Sequence, residues 1–582
     1  MEANGPARGR VSADAKPSLR ILVVLRALNM DRVTEGFLRC ALEAGHTVRV
    51  ALEQSKIGAT VKDGNLFDVL AAEYNRFSFD TLPPRREKWL YTATKLRCAI
   101  DYVRYFEPEF AGAEILRHRA RDRAPLYMRV MGALGLLRFR PVRRAADRLL
   151  RALERRMPLS EQSLELIRTF SPDVVVVSPL VETGSPQGDH LRAADALGVP
   201  TVLSVASWDN LTTKGAIRDR PDTTIVWNED QIREAVEMHG LPRESLVATG
   251  AHSHDHWFVW EPSTSRAEFA AKVGLRADRP FLLYVCSSGF IAGDEEVAFV
   301  REWAQRLAQS GDPDLQELGV IVRPHPQNFR SWADADVAEP GRIVVYPHGG
   351  VAPTDDESKQ DYFDSLYHAK AVVGINTTAL VDSAIVRRPV FTIVHESFRS
   401  TQTGTLHFSY LARDEGNGLL SVAQSWDEHF DQLGAAVRSP NGHREQIDSF
   451  LRAFIRPQGL DRPAAPLTVE AIERTAALEK EPRRARGFGR AIVGAWAGVL
   501  GTWHAVLVTL SPRSVAKRRK ELQKRRRQRA KGKRSSQKVI APASAEPTAI
   551  AHKDRAAKEA DRAAKDAARA AKEEARAARA GR

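Results

Sequence analysis

Leu318-Gly319-Val320-Ile321-Val322-Arg323-Pro324-His325-Pro326 and, further on, Ala371-Val372-Val373-Gly374-Ile375-Asn376-Thr377-Thr378-Ala379-Leu380-Val381-Asp382 decide how the rest of the chain reads. Each is a short apolar run that stops abruptly in polar residues. Strands covered on both faces of a parallel sheet have that pattern. In an open α/β sheet, ligands bind where strands finish at their carboxyl ends. Arg323, His325, Asn376, Thr377 and Thr378 are therefore expected on one rim. A cation, an imidazole and two hydroxyls before a helix suit an anion, because the first amides of a helix are unpaired and carry the positive end of its dipole. Asp382, one turn into that helix, is placed to accept from a sugar hydroxyl. The plainer reading is that Thr377 caps the helix and the two prolines end a strand.

Working outward, the apolar run 281–286 ends in Ser287-Ser288-Gly289, small residues that let a phosphate approach the backbone. The run 389–394 leads into a polar loop over 395–408 that holds Gln402 and Gly404. These pieces form a predicted second α/β domain over 261–482.

A second set lies upstream, over 20–260. The runs 21–25 and 47–52 flank a helical stretch at 31–43 and a Gly45-His46 turn, which is a βαβ unit and implies a parallel sheet. No G-x-G-x-x-G follows the first strand, so a dinucleotide fingerprint is absent. Asn29 and Arg32, in the loop after that strand, are candidates for holding an acceptor, or merely begin the helix. Strands are expected again at 174–177, 201–205 and 223–227. Between the last two lies Ser207-Trp208-Asp209-Asn210-Leu211-Thr212-Thr213-Lys214-Gly215. That density of polar groups points to function, although Asp and Asn also form turns. Asp209 or Glu182 is the candidate base, and Trp208, Asn210 and Lys214 are candidate acceptor contacts. His252, His254 and His256 alternate without a carboxylate or cysteine pattern to complete a familiar site, so neither a metal nor a cofactor is expected.

The chain has 582 residues, 43% of them hydrophobic, enough for two or three domains. Three scattered cysteines exclude a disulfide framework and suggest a reducing compartment. Of the net charge of +14, the run 513–534 supplies +12, with 13 Lys/Arg against Glu521. Such a run fits an anionic membrane leaflet. It lacks the interleaved aromatics that stack bases, so nucleic acid is the disfavoured partner.

Residues 1–19 are polar, have no apolar signal-peptide core, and are expected to be disordered. The predicted location is cytoplasmic, peripheral on the inner face of the cell membrane. Residues 85–157 read as a helical insertion with interleaved arginines, either simply solvated or facing anionic lipid. Within the predicted membrane-proximal segment 483–534, residues 491–510 carry no formal charge. They read either as an in-plane anchor or as a helix packed back on the second domain. A linker and a charged, alanine-rich helix are expected over 535–582.

The motifs resemble those of the GT-B glycosyltransferases over about residues 20–455. Arg323-Pro324-His325-Pro326 is similar to the Arg-x-His-Pro element of CDP-glycerol glycerophosphotransferases. Residues 376–382 are similar to their paired hydroxyls followed by an acid, and to the Ser-Gly-Gly-x-x-Glu element of UDP-GlcNAc 2-epimerases. The Ser-Trp-Asp-Asn-Leu-Thr-x-Lys-Gly run resembles bacterial surface-polysaccharide transferase-like proteins. The resemblance implies an α/β fold of two Rossmann-like parallel-sheet domains facing a cleft. It implies metal-independent transfer from a nucleotide-sugar or CDP-polyol donor to a polysaccharide or lipid-linked acceptor. His325, Thr377 and Thr378 would then hold the donor phosphates and Asp382 its ribose. Two departures, Thr-Thr for Ser-Ser and Asn376 for an aromatic, leave the donor unspecified. Epimerisation or hydrolysis of a nucleotide sugar, or nucleic-acid binding through the basic run, are the alternatives.

Overall fold

The computed structural model describes residues 17–53, 65–332, 335–348, 353, 355–413, 417–439, 441–483 and 487–510. Residues 1–502 make one compact unit and 503–582 a second. The expected tail elements over 513–534 and 535–582, and most of the N-terminal segment, lie outside the described residues.

Two parallel sheets organise the first unit. One contains β1 (Arg20–Leu25), β2 (Thr47–Leu52), β3 (Phe77–Thr81), β4 (Val174–Ser178), β5 (Thr201–Ser204), β6 (Thr223–Val226) and β7 (Leu246–Ala248), in the order β3-β2-β1-β4-β5-β6-β7. The other contains β8 (Phe281–Val285), β9 (Gly319–Arg323), β10 (Ile343–Val345), β11 (Val372–Gly374), β12 (Val390–Ile393) and β13 (Leu420–Ala423), in the order β10-β9-β8-β11-β12-β13. Each is a doubly wound sheet whose order reverses beside its first strand, between β1 and β4 and between β8 and β11. The central strands are apolar on both faces because helices cover both. Val174 to Val177 and Phe281 to Tyr284 are all fully buried.

The expected helical insertion forms as the helices Leu90–Arg104, Glu114–Arg123, Leu126–Ala133 and Arg140–Arg155, with a core of its own around Trp89, Ile100, Phe110 and Leu150. It is tied to the first sheet by a buried ion network. Arg97 spans Glu154 (2.9 Å) and Asp189 (2.6 Å), and Arg85 also reaches Asp189. Asp189 is held well below the ordinary carboxylate range; burial pushes it up, and Arg97, Arg192 and Arg85 outweigh that.

Two expected boundaries shift. The helix Ala464–Ala476 crosses back to the first sheet, burying Val469 and Ile472 in the core beneath β1, β4 and β5, so the second domain ends before residue 482. The apolar helix Gly487–Leu510 meets the helical insertion through Val493 and Ala497, rather than the second domain. Its glycines make that approach possible. A Cβ on Gly501 would stand 2.0 Å from the Lys88 carbonyl oxygen and one on Gly494 2.7 Å from Pro158. Thr92 Oγ1 donates to the Ala497 carbonyl at 2.9 Å. Among the described residues, no helix is long and apolar enough to cross a membrane.

Candidate functional site

The second sheet's switch point places Ser287-Ser288-Gly289, after β8, beside Asn376-Thr377-Thr378, after β11. His325 follows β9 on the same rim. Across the cleft, β5 delivers Ser207 to Lys214. A pocket of about 300 Å³ lies between, lined from the first lobe by Trp208, Asp209, Thr213 and Lys214 and from the second by Ser288, His325, Asn376, Thr377 and Thr378.

Thr377 stands at the start of the helix Thr378–Ile385 with extended backbone, and its hydroxyl makes no capping hydrogen bond. The helix therefore opens towards the pocket with its first amides unspanned by a side chain. The Trp208 indole N–H donates to Thr378 Oγ1 at 3.3 Å, directly linking the two lobes. Asn376 is buried; its amide N–H₂ donates to the Thr401 carbonyl at 2.8 Å, pinning the 395–408 loop.

His325 is half-buried, and burial lowers its pKa, so the ring is neutral at neutral pH. Its Nδ1 accepts from the Gln327 backbone N–H at 3.1 Å. The ring proton then resides on Nε2, making that atom a hydrogen-bond donor.

Asp209 accepts from Ser207 Oγ (2.8 Å), Asn210 Nδ2 (3.2 Å) and Thr213 Oγ1 (2.9 Å). Burial pushes its pKa up, but Lys214, His407 and the hydrogen bonds from Ser207 and Thr213 bring it below the ordinary value. The site thus holds a fixed, ionised carboxylate against a wall of donors. Glu182 lies outside the pocket. It pairs with Arg26 and, at 3.4 Å, with Lys214, so it orients that lysine.

Several expected contacts sit elsewhere. Arg323 ends β9 facing away from the pocket, 3.4 Å from Asp361 and stacked 4.9 Å from the Tyr362 ring centroid. Asp382 accepts from the Tyr362 hydroxyl at 2.8 Å and pairs with His254 Nε2 at 3.2 Å. Its oxygens are engaged in a packed cluster behind the rim. Gln402 is fully buried and works as a brace: its amide donates to the Ile393 carbonyl and accepts from the His395 N–H. Gly404 serves a tight turn, where a Cβ would meet the Ser400 carbonyl oxygen at 2.2 Å. Ser287 is fully buried and donates its N–H to Glu296 at 2.9 Å. Of the loop after β8, Ser288 reaches the pocket lining and Gly289 does not. Asn210 is buried against Asp209 rather than lining the pocket. The side chains of Asn29 and Arg32 lie outside the described residues. His252, His254 and His256 belong to the 3-10 helix His252–Phe258, not to a strand, and help join the two lobes.

Sequence reasoning missed Arg119, Phe290, Gln327 and His407. Arg119 comes from the insertion helix Glu114–Arg123, donates to the Thr213 carbonyl, and stacks 4.5 Å from the Phe290 ring centroid. Nothing local marks it among the insertion's many arginines. His407 packs edge-on to Trp208, with centroids 4.7 Å apart, and burial lowers its pKa to about 4 against the pull of Asp209. Its place in the polar 395–408 loop was the available signal.

Two Rossmann-type sheets closing on one pocket at the second sheet's switch point make this a GT-B fold. No family model matches the chain, and no curated protein does. Among solved structures, it is similar to the UDP-GlcNAc 2-epimerase from Neisseria meningitidis bound to UDP-GlcNAc, at 10% identity and a TM-score of 0.45, covering 78% of this chain and 100% of that one. It is also similar to a glycosyltransferase from Rickettsia africae, at 8% identity and a TM-score of 0.44, covering 79% and 100%. The wall teichoic acid polymerase TagF matches at 10% identity and a TM-score of 0.40, covering 79% and 89%. These are likenesses of outline, and the functional reading rests on the pocket itself.

Proposed function

We propose that the protein transfers a sugar or polyol-phosphate unit from a nucleotide-activated donor to a hydroxyl of a membrane-held acceptor. The observation that carries this is the two-sided pocket. One wall offers His325 Nε2–H, Ser288 and the open helix start at Thr377 and Thr378; the other offers the ionised Asp209 with Lys214 and Arg119. The donor diphosphate lies against the first wall, where His325, Ser288 and the helix amides meet its oxygens, with Lys214 and Arg119 facing it from the other. The acceptor hydroxyl approaches Asp209, which takes its proton as the new bond forms. For a sugar, the C–O bond to the diphosphate breaks and the electron pair stays on the departing nucleoside diphosphate; for a polyol-phosphate, the bridging P–O bond within the diphosphate breaks and the pair stays on the departing nucleoside monophosphate. Charge developing there is met by His325, Lys214, Arg119 and the helix amides. These side chains supply the donors and the base themselves, so the step is written without a metal.

The insertion supports an acceptor held at an anionic bilayer. Leu126, Leu134, Phe139 and Leu149 are 60–68% exposed. Between residues 121 and 149 the sequence also carries Arg121, Arg123, Arg129, Arg138, Arg140 and Arg148, with only Asp122 and Asp147 as acids. Exposed apolar side chains interspersed with arginines suit the interface of an anionic leaflet. A second copy of the chain is the competing occupant.

The test is a panel of nucleoside diphosphates and their sugar and polyol-phosphate conjugates, read by thermal shift. A ligand that binds only the native state raises the melting point. One nucleotide should stabilise the wild type and fail to stabilise His325→Ala. If no nucleotide stabilises the protein, the reading is wrong. Donor consumption without any acceptor would assign epimerase or hydrolase chemistry instead. Flotation with phosphatidylglycerol vesicles, lost in Leu134→Asp/Phe139→Asp, checks the membrane face; dimerisation lost in that variant would overturn it.

A further inference from the structure

A second cavity, of about 460 Å³, lies outside the cleft, between the insertion and the first sheet. Arg104, Arg144, Arg151, Arg155, Arg218 and Arg220 line it. Four acids line it too, but Asp147 is taken by Arg151 at 2.8 Å, and Glu107 by Arg143 at 2.8 Å. Arg218 is paired outside the cavity, with Asp101 at 3.1 Å. Arg104, Arg144, Arg155 and Arg220 form no ion pair among the described residues, against Glu109 and Glu237.

Arg104 is the telling member. It is buried, and its Nε has no hydrogen-bond partner among the described residues. Its other nitrogens meet neutral groups, the carbonyls of Leu211, Lys214 (3.1 Å) and Gly215 (3.1 Å) and, 3.0 Å from Nη2, His239 Nε2, with the Phe110 ring centroid 4.7 Å from the guanidinium carbon. The neighbouring His239 gives no relief. Its Nδ1 accepts from the Ile217 N–H at 3.0 Å, so its proton sits on Nε2 and points to the Leu211 carbonyl at 2.8 Å. A buried guanidinium without a counter-anion is costly. An anion in this cavity would supply one.

We propose that this arginine-lined cavity is a binding site for a multivalent phosphate. The carbonyls that Arg104 holds belong to the 211–215 loop, which carries Lys214 and follows Asp209 into the cleft. Asp101, on the same insertion helix, accepts from the Gly184 and Ala216 N–H groups at 2.7 and 2.8 Å and anchors the neighbouring loops. An occupied cavity therefore stiffens the cleft wall from outside, and the insertion is the element through which the two sites communicate.

The probe is inorganic pyrophosphate, titrated calorimetrically into the full chain. Two classes of site are expected, one in the cleft and one here. Arg144, Arg155 and Arg220 are exposed, so Arg144→Glu/Arg155→Glu/Arg220→Glu should keep the fold while weakening one class at least tenfold. His325→Ala should weaken the other class. In the His325→Ala background, pyrophosphate should slow amide hydrogen exchange over 209–216, and the triple reversal should abolish that protection. A triple variant that binds like wild type, or protection that survives it, overturns the proposal. Arg144→Lys/Arg155→Lys/Arg220→Lys keeps the charge and should bind within a few-fold of wild type; a loss there as large as the reversal's would also overturn it.

Discussion

Arg323 and His325 are two residues apart at the end of one strand, yet they belong to different regions. His325 faces an open pocket, neutral, with its free donor on Nε2. Arg323 is buried behind the rim, in a closed cluster that runs from Asp361 through Tyr362 to Asp382 and His254. In the pocket, polar groups keep bonding capacity to spare; in the cluster, each is spent on its neighbours. A motif sets which rim residues reach, while the layer behind that rim decides which remain available to a ligand. Functional inference from a short motif therefore needs the partner list of every polar atom in it.

The largest effect expected from this contrast is at the open pocket. Asp209→Asn should lower turnover by about 10²–10⁴-fold, the range for a general base, with nucleotide affinity little changed. Steady-state kinetics with donor and acceptor varied separately checks this. Turnover within a few-fold of wild type would move the base elsewhere.

At the closed cluster the sign should reverse. Arg323→Met should cost about 1–2 kcal/mol of stability, because it takes the guanidinium away from Asp361 (3.4 Å) and the Tyr362 ring, while Lys272 keeps its own pair with Asp361 at 2.8 Å. Nucleotide affinity of the folded variant should hold within about threefold, since 1.4 kcal/mol is needed for tenfold. Denaturant melts and nucleotide titration separate the two quantities. A large affinity loss with unchanged stability would falsify the division between the regions.

A pH-dependent effect sharpens it further. Glu296 is buried beneath the pocket floor, and burial pushes its pKa up to about 8, against the Ser287 N–H and the Tyr284 hydroxyl. The folded state then holds a proton that the unfolded chain releases near pH 4.5. Stability from this group is fully present below that value and is lost as pH rises towards 8. Glu296→Gln mimics the protonated acid, so its melting temperature should gain on wild type steadily from pH 4.5 to pH 8. A difference that does not change with pH would mean the carboxyl is ionised throughout.

The smallest effect is at the bridge between the lobes. Thr378→Val removes the acceptor for the Trp208 indole and should cost about 1 kcal/mol. Its trace should also appear as faster exchange of the Trp208 indole proton.

The central strands could be read directly because both faces are covered, leaving uninterrupted Val, Ile and Leu runs such as Val174 to Val177 and Val320 to Val322. The strands that sequence reading passed over, β3, β7, β10 and β13, are the outermost of their sheets. An edge strand has one neighbour and partial exposure, so the apolar signal fades, as in Phe77-Ser78-Phe79-Asp80-Thr81. The rim positions of His325, Thr377, Thr378 and Asp209 followed from strand ends, a property of chain order alone. Amino-acid order thus determined two parallel sheets, the helical insertion and most of the loops that meet in the cleft. The fold alone decided that Arg119 reaches the cleft from 90 residues before Asp209, that Arg323 and Asp382 turn inward, and that Arg104 forms no ion pair and leaves its Nε without a partner among the described residues. Local pattern reports the burial of a segment's faces; hydrogen-bond and charge satisfaction is settled between distant segments, and so becomes visible only once the chain has closed on itself.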